Sequence, residues 1–345
     1  MRTQTDWLSN FMDLITVTGK LEVRCTFGAP WSTAYAQSTA REIPYRVVLK
    51  GRALLEDPAD NTVWELEGGD IVLLPHGSAH VMHDGSGRTL VPFFTRRVGM
   101  VLASGNDGRD ERLDMLCGRF FIATPHDRLI RSCLPSKLLV RTANASGASD
   151  VDSAVTRLNG LLELMRLESR EGNLGGVAIL NALSSALFAL ALRAGSEAGR
   201  APTGLLALAG HSRLAPALSA MFSEPAKPWS LPALADLCSM SRATFVRHFR
   251  SGFGRSAIDL LTDIRMSVAA NELRKPTVAV EAVASAVGYQ SVAAFRRVFA
   301  RWMGMTAGSW RRQSRAAESE VDLVNARFDC TNGSTISGAF PCDVC

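Results

Sequence analysis

The sequence offers little that would send the protein across or into a membrane. Residues Met1–Thr18 include Asp6 and Asp13 and contain no continuous apolar run, so this segment predicts neither a signal peptide nor a transit sequence. The 7 cysteines are scattered without the spacing of a disulfide framework, a distribution typical of reducing compartments. We therefore expect a cytoplasmic protein without a membrane partner.

Positive charge is concentrated in one part of the chain. From Ser241 to Arg315 there are 13 Arg and Lys against 4 Asp and Glu, whereas the whole chain of 345 residues carries a net charge of only +5. The remainder is therefore net negative. Such a local surplus is typical of a surface that binds phosphates, although a solvated basic face would have the same charge.

A helical unit that occurs twice decides between these two interpretations. Each copy, within Leu231–Trp310, joins a short apolar helix through a tight turn to a helix whose core face reads Phe-x-x-x-Phe, with a glycine five residues later. Two phenylalanines at i and i+4 share one helix face, so the arginines between them point elsewhere. The pattern predicts a helix-turn-helix that reads DNA. The repeated residues are Phe245, Phe249 and Gly254, then Phe295, Phe299 and Gly304.

With these motifs, the region Arg213–Arg312 resembles the twin helix-turn-helix domain of the AraC/XylS family of bacterial transcription regulators. The segment SAIDLLTDIRMSVAANELRKP matches the family's linker helix, and the residues from Val283 to Tyr289 match a Val-Ala-x-x-Val-Gly-Tyr phrase of its second unit. Ala257 and Ala307 replace prolines that the family has near two helix starts. These replacements remove a preorganised first turn and leave the reading surface untouched.

The resemblance and helix geometry together imply which side chains meet double-stranded promoter DNA. The exposed face of each second helix is expected at base edges in the major groove, and residues flanking that face are expected near phosphates. Expected at base edges are Ala243, Val246, Arg247, Ala293, Arg296 and Arg297. Expected near phosphates are Arg242, Thr244, Arg250 and Ser291.

The region from Ile43 to Phe121 consists of short β-prone runs separated by Gly, Pro, Asp and Asn, which predicts an antiparallel jelly roll or barrel. Within it, the segment GDIVLLPHGSAHVMHD resembles the second sequence motif of the cupin family, with Asp84 in place of the motif's last asparagine. Residues 10–140 are therefore expected to form a regulatory cupin domain. The residues that match the motif are Gly69, Pro75, Gly77 and His80.

The scarcity of histidine argues against a metal-dependent cupin enzyme. The usual cupin site takes imidazoles from an early His-x-His together with a carboxylate, yet no histidine precedes His76 here. His80, with His76 and His83 nearby, supplies too few ligands. We expect His80 to serve the structure or a ligand pocket, and we expect no catalytic residue, no metal and no cofactor.

Two cysteines in this half lie in the phrases RCTFGAPW, which contains Cys25, and LDMLCGRFF, which contains Cys117. These phrases resemble those of the reactive-chlorine-sensing regulators within the cupin-bearing AraC family. The resemblance implies that both cysteines respond to oxidant, Cys25 first, with capture of the oxidised thiol as a disulfide. Arg24 and Arg119 beside them would favour the thiolate. Alternatively, both thiols are small core residues, as buried cysteines commonly are.

The remaining segments complete the predicted architecture. VAILNALSSALFALALRA is long and apolar, but Asn181, Ser184 and Ser185 favour a buried packing or dimer helix over a membrane span. Because helices of this kind join protomers in the family, we expect the segment 150–195 to join two copies of the chain in a homodimer. The expected remaining parts are a linker at 196–210, the DNA-binding domain at 211–313 and a disordered tail at 316–345. The tail contains Cys330, Cys342 and Cys345, whose spacing does not match that of a zinc site.

The sequence thus predicts an α+β protein with a β-rich, jelly-roll-like cupin domain, a helical dimerisation segment and an all-α twin helix-turn-helix domain. We expect a bacterial, non-enzymatic transcription regulator that binds specific promoter DNA as a homodimer, with RNA polymerase as a further partner. The expected signal is an oxidant sensed through Cys25 and Cys117. The alternative is a small organic effector bound in the barrel.

Substitution of two arginines in the first unit should distinguish a residue that contacts bases from one that binds phosphates. Arg247→Ala should relax the preference at one base position, because a bidentate arginine–guanine pair contributes about 1–3 kcal/mol of discrimination. Arg250→Ala should weaken binding to all sequences and lower the salt slope by about 1. Selection from random DNA and salt titrations measure both effects. An unchanged site preference for Arg247→Ala would contradict the assignment.

Overall fold

The computed structural model of the protein describes residues 6–98, 101–142, 153–170, 173–198 and 204–316. Strands occupy the first part of the chain and helices the second, which confirms the predicted α+β class. Except for residue 316, the tail expected to be disordered lies outside the described residues.

The strands form two sheets. The larger has the order β11-β6-β3-β10-β1-β9-β8 and the smaller the order β2-β7-β4-β5. At the centre of the larger sheet, β1 pairs antiparallel with β10 along almost its whole length. The strands are β1 (Val17–Gly28), β2 (Ser32–Tyr35), β3 (Glu42–Lys50), β4 (Arg52–Asp57), β5 (Thr62–Glu67), β6 (Ile71–Leu73), β7 (His80–His83), β8 (Phe93–Val98), β9 (Val101–Asn106), β10 (Arg112–Ile122) and β11 (Leu138–Val140).

The two faces of the larger sheet pack against different partners. Because successive side chains of a strand point to opposite faces, β3 and β10 each contribute to two separate cores. Tyr45 and Phe120 belong to the outer core, which continues into the helices. Val48 and Met115 belong to the inner core, which the smaller sheet closes through residues such as Leu55. The inner core lies inside a barrel.

A long apolar helix covers the outer face of the sheet. Helices α3 (Ala154–Glu168) and α4 (Gly176–Glu197) pack together, and α4 lies against β1. By length and composition alone α4 could cross a membrane, but Ser184 Oγ lies 2.9 Å from Tyr45 Oη and Ser185 Oγ accepts a hydrogen bond from Gly19 N at 2.8 Å. A Cβ at Gly19 would lie 2.5 Å from the α4 backbone, so glycine permits this close approach.

The described helices begin with α1 (Trp7–Ile15), which precedes the barrel, and α2 (Asp127–Cys133), which follows β10. The later helices form two bundles around buried phenylalanine pairs, Phe245 with Phe249 and Phe295 with Phe299. They are α5 (Leu205–Gly210), α6 (Ala215–Ser223), α7 (Leu231–Leu237), α8 (Arg242–Phe253), α9 (Ala257–Arg274), α10 (Val280–Ala286) and α11 (Val292–Met303), with a final helix at 307–316.

The helices differ from the expected pattern in the segment 196–210 and at the start of α9. The segment 196–210, expected to be a linker, contains the end of α4 and all of α5, because Leu205, Leu206 and Leu208 bury their side chains completely in the first bundle. The helix start that lost a proline, at Ala257, is stabilised differently. Ser256 and Asp259 form a capping box there, which satisfies backbone N–H groups at the N-terminus.

Helix α2 attaches the barrel to the second bundle. His126 Nε2 lies 2.9 Å from Asn271 Oδ1 on α9, and Arg128 donates to the carbonyl oxygen of Trp302 on α11. The buried carboxylate of Asp263 on α9 lies at the centre of this junction. It accepts hydrogen bonds from Trp302 Nε1 at 2.9 Å and from Arg255 Nη1 at 2.7 Å, with Ser132 Oγ at 3.4 Å. The segment that follows the barrel therefore contacts both α9 and α11.

Loss of the Asp263 charge should loosen this junction. Asp263→Asn keeps the shape but turns an amide toward the Trp302 and Arg255 donors, so the free energy of unfolding should fall by about 1–3 kcal/mol. Urea denaturation measures the change. The matched control is Asp236→Asn on the exposed face of α7, expected within about 0.5 kcal/mol of wild type. Equal stability of the two variants would contradict the role of the buried carboxylate.

Candidate functional site

The inner core encloses a cavity of about 400 Å³ between the two sheets. Strands β1, β3 and β10 of the larger sheet form one wall, while β2 and β7 of the smaller sheet form part of the opposite wall. The wall combines apolar side chains with hydroxyl and amide groups, and its charged or reactive groups are two thiols, two guanidinium groups, two carboxylates and one imidazole. These residues are Cys25, Cys117, Arg46, Arg119, Glu22, Glu42 and His80.

The antiparallel pairing of β1 with β10 brings the two thiols together. Val23 is the register partner of Cys117 and Met115 that of Cys25, so the cysteines are diagonal neighbours on the inner face. Their sulfur atoms lie 3.8 Å apart and are not covalently bonded. Since a disulfide bond measures about 2.0 Å, a small movement would join them. Cys25 is 3% exposed and Cys117 is 4% exposed.

Local interactions make Cys117 acidic for a buried thiol. The hydrogen bond with the Cys25 thiol lowers the pKa of Cys117, burial opposes this effect, and the positive charge of Arg46 lowers the pKa further; the result is a pKa of about 7. Tyr35 adds a weak contact, with its hydroxyl oxygen 4.0 Å from the Cys117 sulfur. The lowered pKa favours the Cys117 thiolate, the form that reacts with oxidants.

The arginines expected to favour the thiolates have other roles. Arg24 points to the outer face, where its guanidinium binds Asp114 at 2.6 Å and reaches Ser169 beyond α3. Adjacent strand residues face opposite ways, so proximity to Cys25 in sequence was misleading. Arg119 does line the cavity, but it pairs with Glu22 at 2.8 Å and Glu42 at 3.2 Å.

The cation beside Cys117 is Arg46, which the sequence analysis did not identify. Arg46 on β3 is the direct register partner of Cys117 on β10, and directly opposed side chains have Cβ atoms about 5 Å apart. Its guanidinium lies 4.0 Å from the centre of the Tyr35 ring. Because successive side chains of a strand point to opposite faces, the sequence of β3 could have predicted that Arg46 lies on the inner face. Only the pairing of β3 with β10 makes Arg46 a neighbour of Cys117.

His80 lies in the opposite wall of the cavity and is almost fully buried. Its Nδ1 is 2.9 Å from the carbonyl oxygen of Ser78, and its ring stacks on Tyr35 with 4.7 Å between ring centres. Burial, with the nearby charge of Arg46, lowers the pKa of His80 to about 3, so the imidazole is neutral. Within the described residues no group of three His, Cys, Asp or Glu side chains is arranged to hold a metal ion.

The other described cysteines belong to the outer core and do not line this cavity. Burial raises the pKa of Cys133, on α2, to about 12. Burial also raises the pKa of Cys238, at the end of α7. Both are therefore less reactive than Cys117 at neutral pH. Cys330, Cys342 and Cys345 lie outside the described residues.

On α8, the residues expected at DNA lie mainly on one face. Ala243 and Arg247 are exposed, whereas Val246 is half-buried and packs partly against the core. Thr244 is also half-buried, and its hydroxyl accepts a hydrogen bond from Ser241, the N-cap. Five of the six predicted residues on this helix line one open surface depression: Arg242, Ala243, Val246, Arg247 and Arg250.

On α11, two of the expected DNA contacts have partners within the protein. Ser291 is the N-cap, and its hydroxyl accepts a hydrogen bond from the backbone of Ala294. Arg296 forms an exposed ion pair with Glu281 on α10 at 2.8 Å. Ala293 and Arg297 are exposed without such a contact among the described residues. An exposed ion pair contributes little to stability, so the contact with Glu281 does not prevent Arg296 from binding another partner.

Comparisons with known proteins match both halves of the chain. A cupin family model matches residues 6–197, and a helix-turn-helix domain model matches residues 234–313. An uncharacterized HTH-type transcriptional regulator of Haemophilus influenzae is 27% identical over 89% of this chain and 98% of its own. The RCS-specific HTH-type transcriptional activator RclR of Escherichia coli is 26% identical over 90% and 98%. The HTH-type transcriptional regulator MtrA of Neisseria gonorrhoeae is 28% identical over 89% and 98%.

Alkylation of Cys117 should show the low pKa directly. With a pKa of about 7, its rate of reaction with iodoacetamide should rise with pH to a midpoint near neutrality, because only the thiolate reacts. Cys25→Ala should shift the midpoint upward, since the thiol hydrogen bond is lost, whereas Cys133→Ala should leave it unchanged. Mass spectrometry of the Cys117 peptide measures the rates. A wild-type midpoint near the ordinary cysteine value would contradict the assignment.

Proposed function

Because the chain belongs to the AraC/XylS family of transcription regulators that carry an N-terminal cupin domain, we propose that it regulates transcription in response to an oxidant of the hypochlorous acid class. The observation that carries the proposal is the thiol pair of Cys25 and Cys117, 3.8 Å apart on a cavity wall. A relative named as RCS-specific, aligned over nine-tenths of the chain, supports the choice of oxidant.

The proposed chemistry needs only the two thiols and the oxidant. The thiolate of Cys117 reacts with hypochlorous acid to give a sulfenic acid and chloride, so sulfur loses two electrons and the oxidant gains them. The Cys25 thiol then attacks the sulfenic sulfur, which forms the disulfide and releases water. The resemblance to the reactive-chlorine-sensing regulators implies that Cys25 reacts first. The lowered pKa of Cys117 favours the opposite order.

A continuous path supports transmission from the thiols to the DNA-binding helices. Cys117 lies five residues before the end of β10 at Ile122, and α2 follows shortly afterwards. The N-cap residue of α2, His126, contacts α9, and Arg128 within α2 contacts α11. A shift of β10 on disulfide formation would therefore change the position of the second reading helix. A tenfold change in DNA affinity requires only about 1.4 kcal/mol of coupling.

DNA recognition is assigned to α8 and α11, which α9 joins within one chain. We infer that the two helices enter successive major grooves, whose separation is roughly 34 Å. Arg247 and Arg297 on these helices are the exposed arginines proposed to read bases, while Arg242 and Arg250 are proposed to bind phosphates. The surplus of Arg and Lys over Asp and Glu in this part of the chain supports the assignment.

The helix pair α3 and α4 is proposed to join two protomers. Leu164, Leu167 and Ile179 on this pair are exposed, and aliphatic side chains of this size are typical of dimer interfaces. The regulator would then act as a cytoplasmic homodimer that binds promoter DNA and contacts RNA polymerase. An alternative signal, a small organic effector, is favoured by the size of the barrel cavity, which is within the range of ligand pockets.

An oxidant titration of DNA binding tests the proposed function. DNA selected by the reduced protein from random sequences serves as the ligand, and fluorescence anisotropy measures affinity as hypochlorous acid is added. Wild type should change affinity about tenfold or more as a Cys25–Cys117 disulfide forms. Cys25→Ser, Cys117→Ser and the double variant should bind DNA without responding.

The matched controls are Cys133→Ser and Cys238→Ser, which remove buried thiols outside the cavity and should keep the response. Mass spectrometry should detect the disulfide in wild type at the same oxidant concentrations that change affinity. A double variant of Cys25 and Cys117 that retained the full response would exclude the thiol mechanism and leave an effector in the barrel as the signal.

A further inference from the structure

Strand β8 forms one edge of the larger sheet, and one side of its backbone has no strand beside it among the described residues. It stands at the end of the strand order, next to β9. Two residues separate Val98 from Val101, so these two form a hydrogen-bonded pair, and such pairs alternate along an antiparallel ladder. The N–H and C=O groups of Phe93, Thr95 and Arg97 therefore point away from β9, toward the free edge.

This edge exposes an apolar stretch beside two cations. Phe93 is 44% exposed and Phe94 is 45% exposed, and both lie within the strand. Arg96 and Arg97 follow after one residue and are also exposed. Phe94 and Arg96 share the face turned away from the cavity, with the guanidinium 5.8 Å from the ring centre. An exposed apolar edge strand accepts a further strand unless charge or shape prevents the pairing.

The order of side chains along β8 is complementary to itself. The strand reads Phe-Phe-Thr-Arg-Arg, with Thr95 at its centre. In an antiparallel pair of two such strands centred on Thr95, Phe93 lies opposite Arg97 of the second copy, and Phe94 lies opposite Arg96 of the second copy. Directly opposed side chains have Cβ atoms about 5 Å apart, which is close enough for a cation–π contact.

The same register satisfies the backbone, and other registers bring the arginines together. The outward groups of Phe93, Thr95 and Arg97 meet the same groups of the second copy and can form about six hydrogen bonds. An antiparallel register centred on Arg97 would place that arginine opposite itself, and an in-register parallel pair would oppose every arginine with its copy. Like charges directly opposite each other are destabilising, so the arginines select the register centred on Thr95.

We propose that β8 pairs antiparallel with β8 of a second copy of this chain, in the register centred on Thr95, so that two larger sheets join into one. This interface is separate from the helix pair α3 and α4, and a chain with two isologous interfaces can assemble beyond a dimer. A strand of six residues buries less than the roughly 1,200 Å² of a stable complex, so the pairing is weak unless another contact already holds two copies together.

Exchange of two residues that face each other across the pair tests this register. Phe94→Arg places an arginine opposite Arg96 at two symmetric positions, so association should weaken at least about tenfold. Phe94→Arg combined with Arg96→Phe recreates each opposed pair with its members exchanged, and association should return to within about threefold of the reference chain. Sedimentation equilibrium of the full chain under reducing conditions measures the association constant. Every sample, including the reference chain, carries Leu164→Asp to weaken the proposed helix interface.

The matched control is Val63→Arg, which adds the same charge to β5, the edge strand of the smaller sheet. Val63 is 53% exposed, and this variant should associate like the reference chain. Amide hydrogen exchange in the β8 peptide should slow with protein concentration in the reference chain and in the double variant, but not in Phe94→Arg.

Three results would overturn the proposal. They are a reference chain that does not associate, a Phe94→Arg variant that associates as strongly as the reference chain, and a double variant that stays as weak as Phe94→Arg. The last result would show that Phe94 and Arg96 do not face each other across the interface. None of these measurements involves DNA or an oxidant, so they do not depend on the proposed function.

Discussion

The antiparallel pairing of β1 with β10 is the constraint on which the rest of the structure depends. It joins strands from the two ends of the barrel sequence and brings the sulfur atoms of Cys25 and Cys117 within 3.8 Å. Helix α4 packs against the outer face of the same two strands, so the cavity and the outer core lie on opposite faces of one sheet. Any change in spacing between β1 and β10 therefore affects both faces at once.

The chain leaves this pair in the direction of the DNA-binding helices. Strand β10 continues through a short turn into α2, whose side chains contact α9 and α11 around the buried carboxylate of Asp263. Buried, hydrogen-bonded junctions of this kind hold discrete arrangements, because leaving a partner unsatisfied is costly. In the proposed regulator, two discrete arrangements of this junction would need to differ by only a small coupling free energy.

The charge of Arg46 acts on the thiol pair from a third strand. The hydrogen bond with Cys25 lowers the pKa of Cys117, burial opposes this effect, and Arg46, the cross-strand neighbour of Cys117, lowers the pKa further. The chemistry of Cys117 therefore depends on β1 and β3 as well as on its own strand.

The sequence by itself determined the two helix-turn-helix units and the cupin class of the N-terminal domain. Helix periodicity around Phe245 and Phe249 and the repeat at Phe295 and Phe299 are local patterns, so they predicted α8 and α11 without tertiary information. Only the tertiary structure decided which arginine acts on a thiol. Arg24 adjoins Cys25 in sequence but faces the other side of the sheet, whereas Arg46 is distant in sequence and becomes the neighbour of Cys117 through strand register, which non-local hydrogen bonds fix.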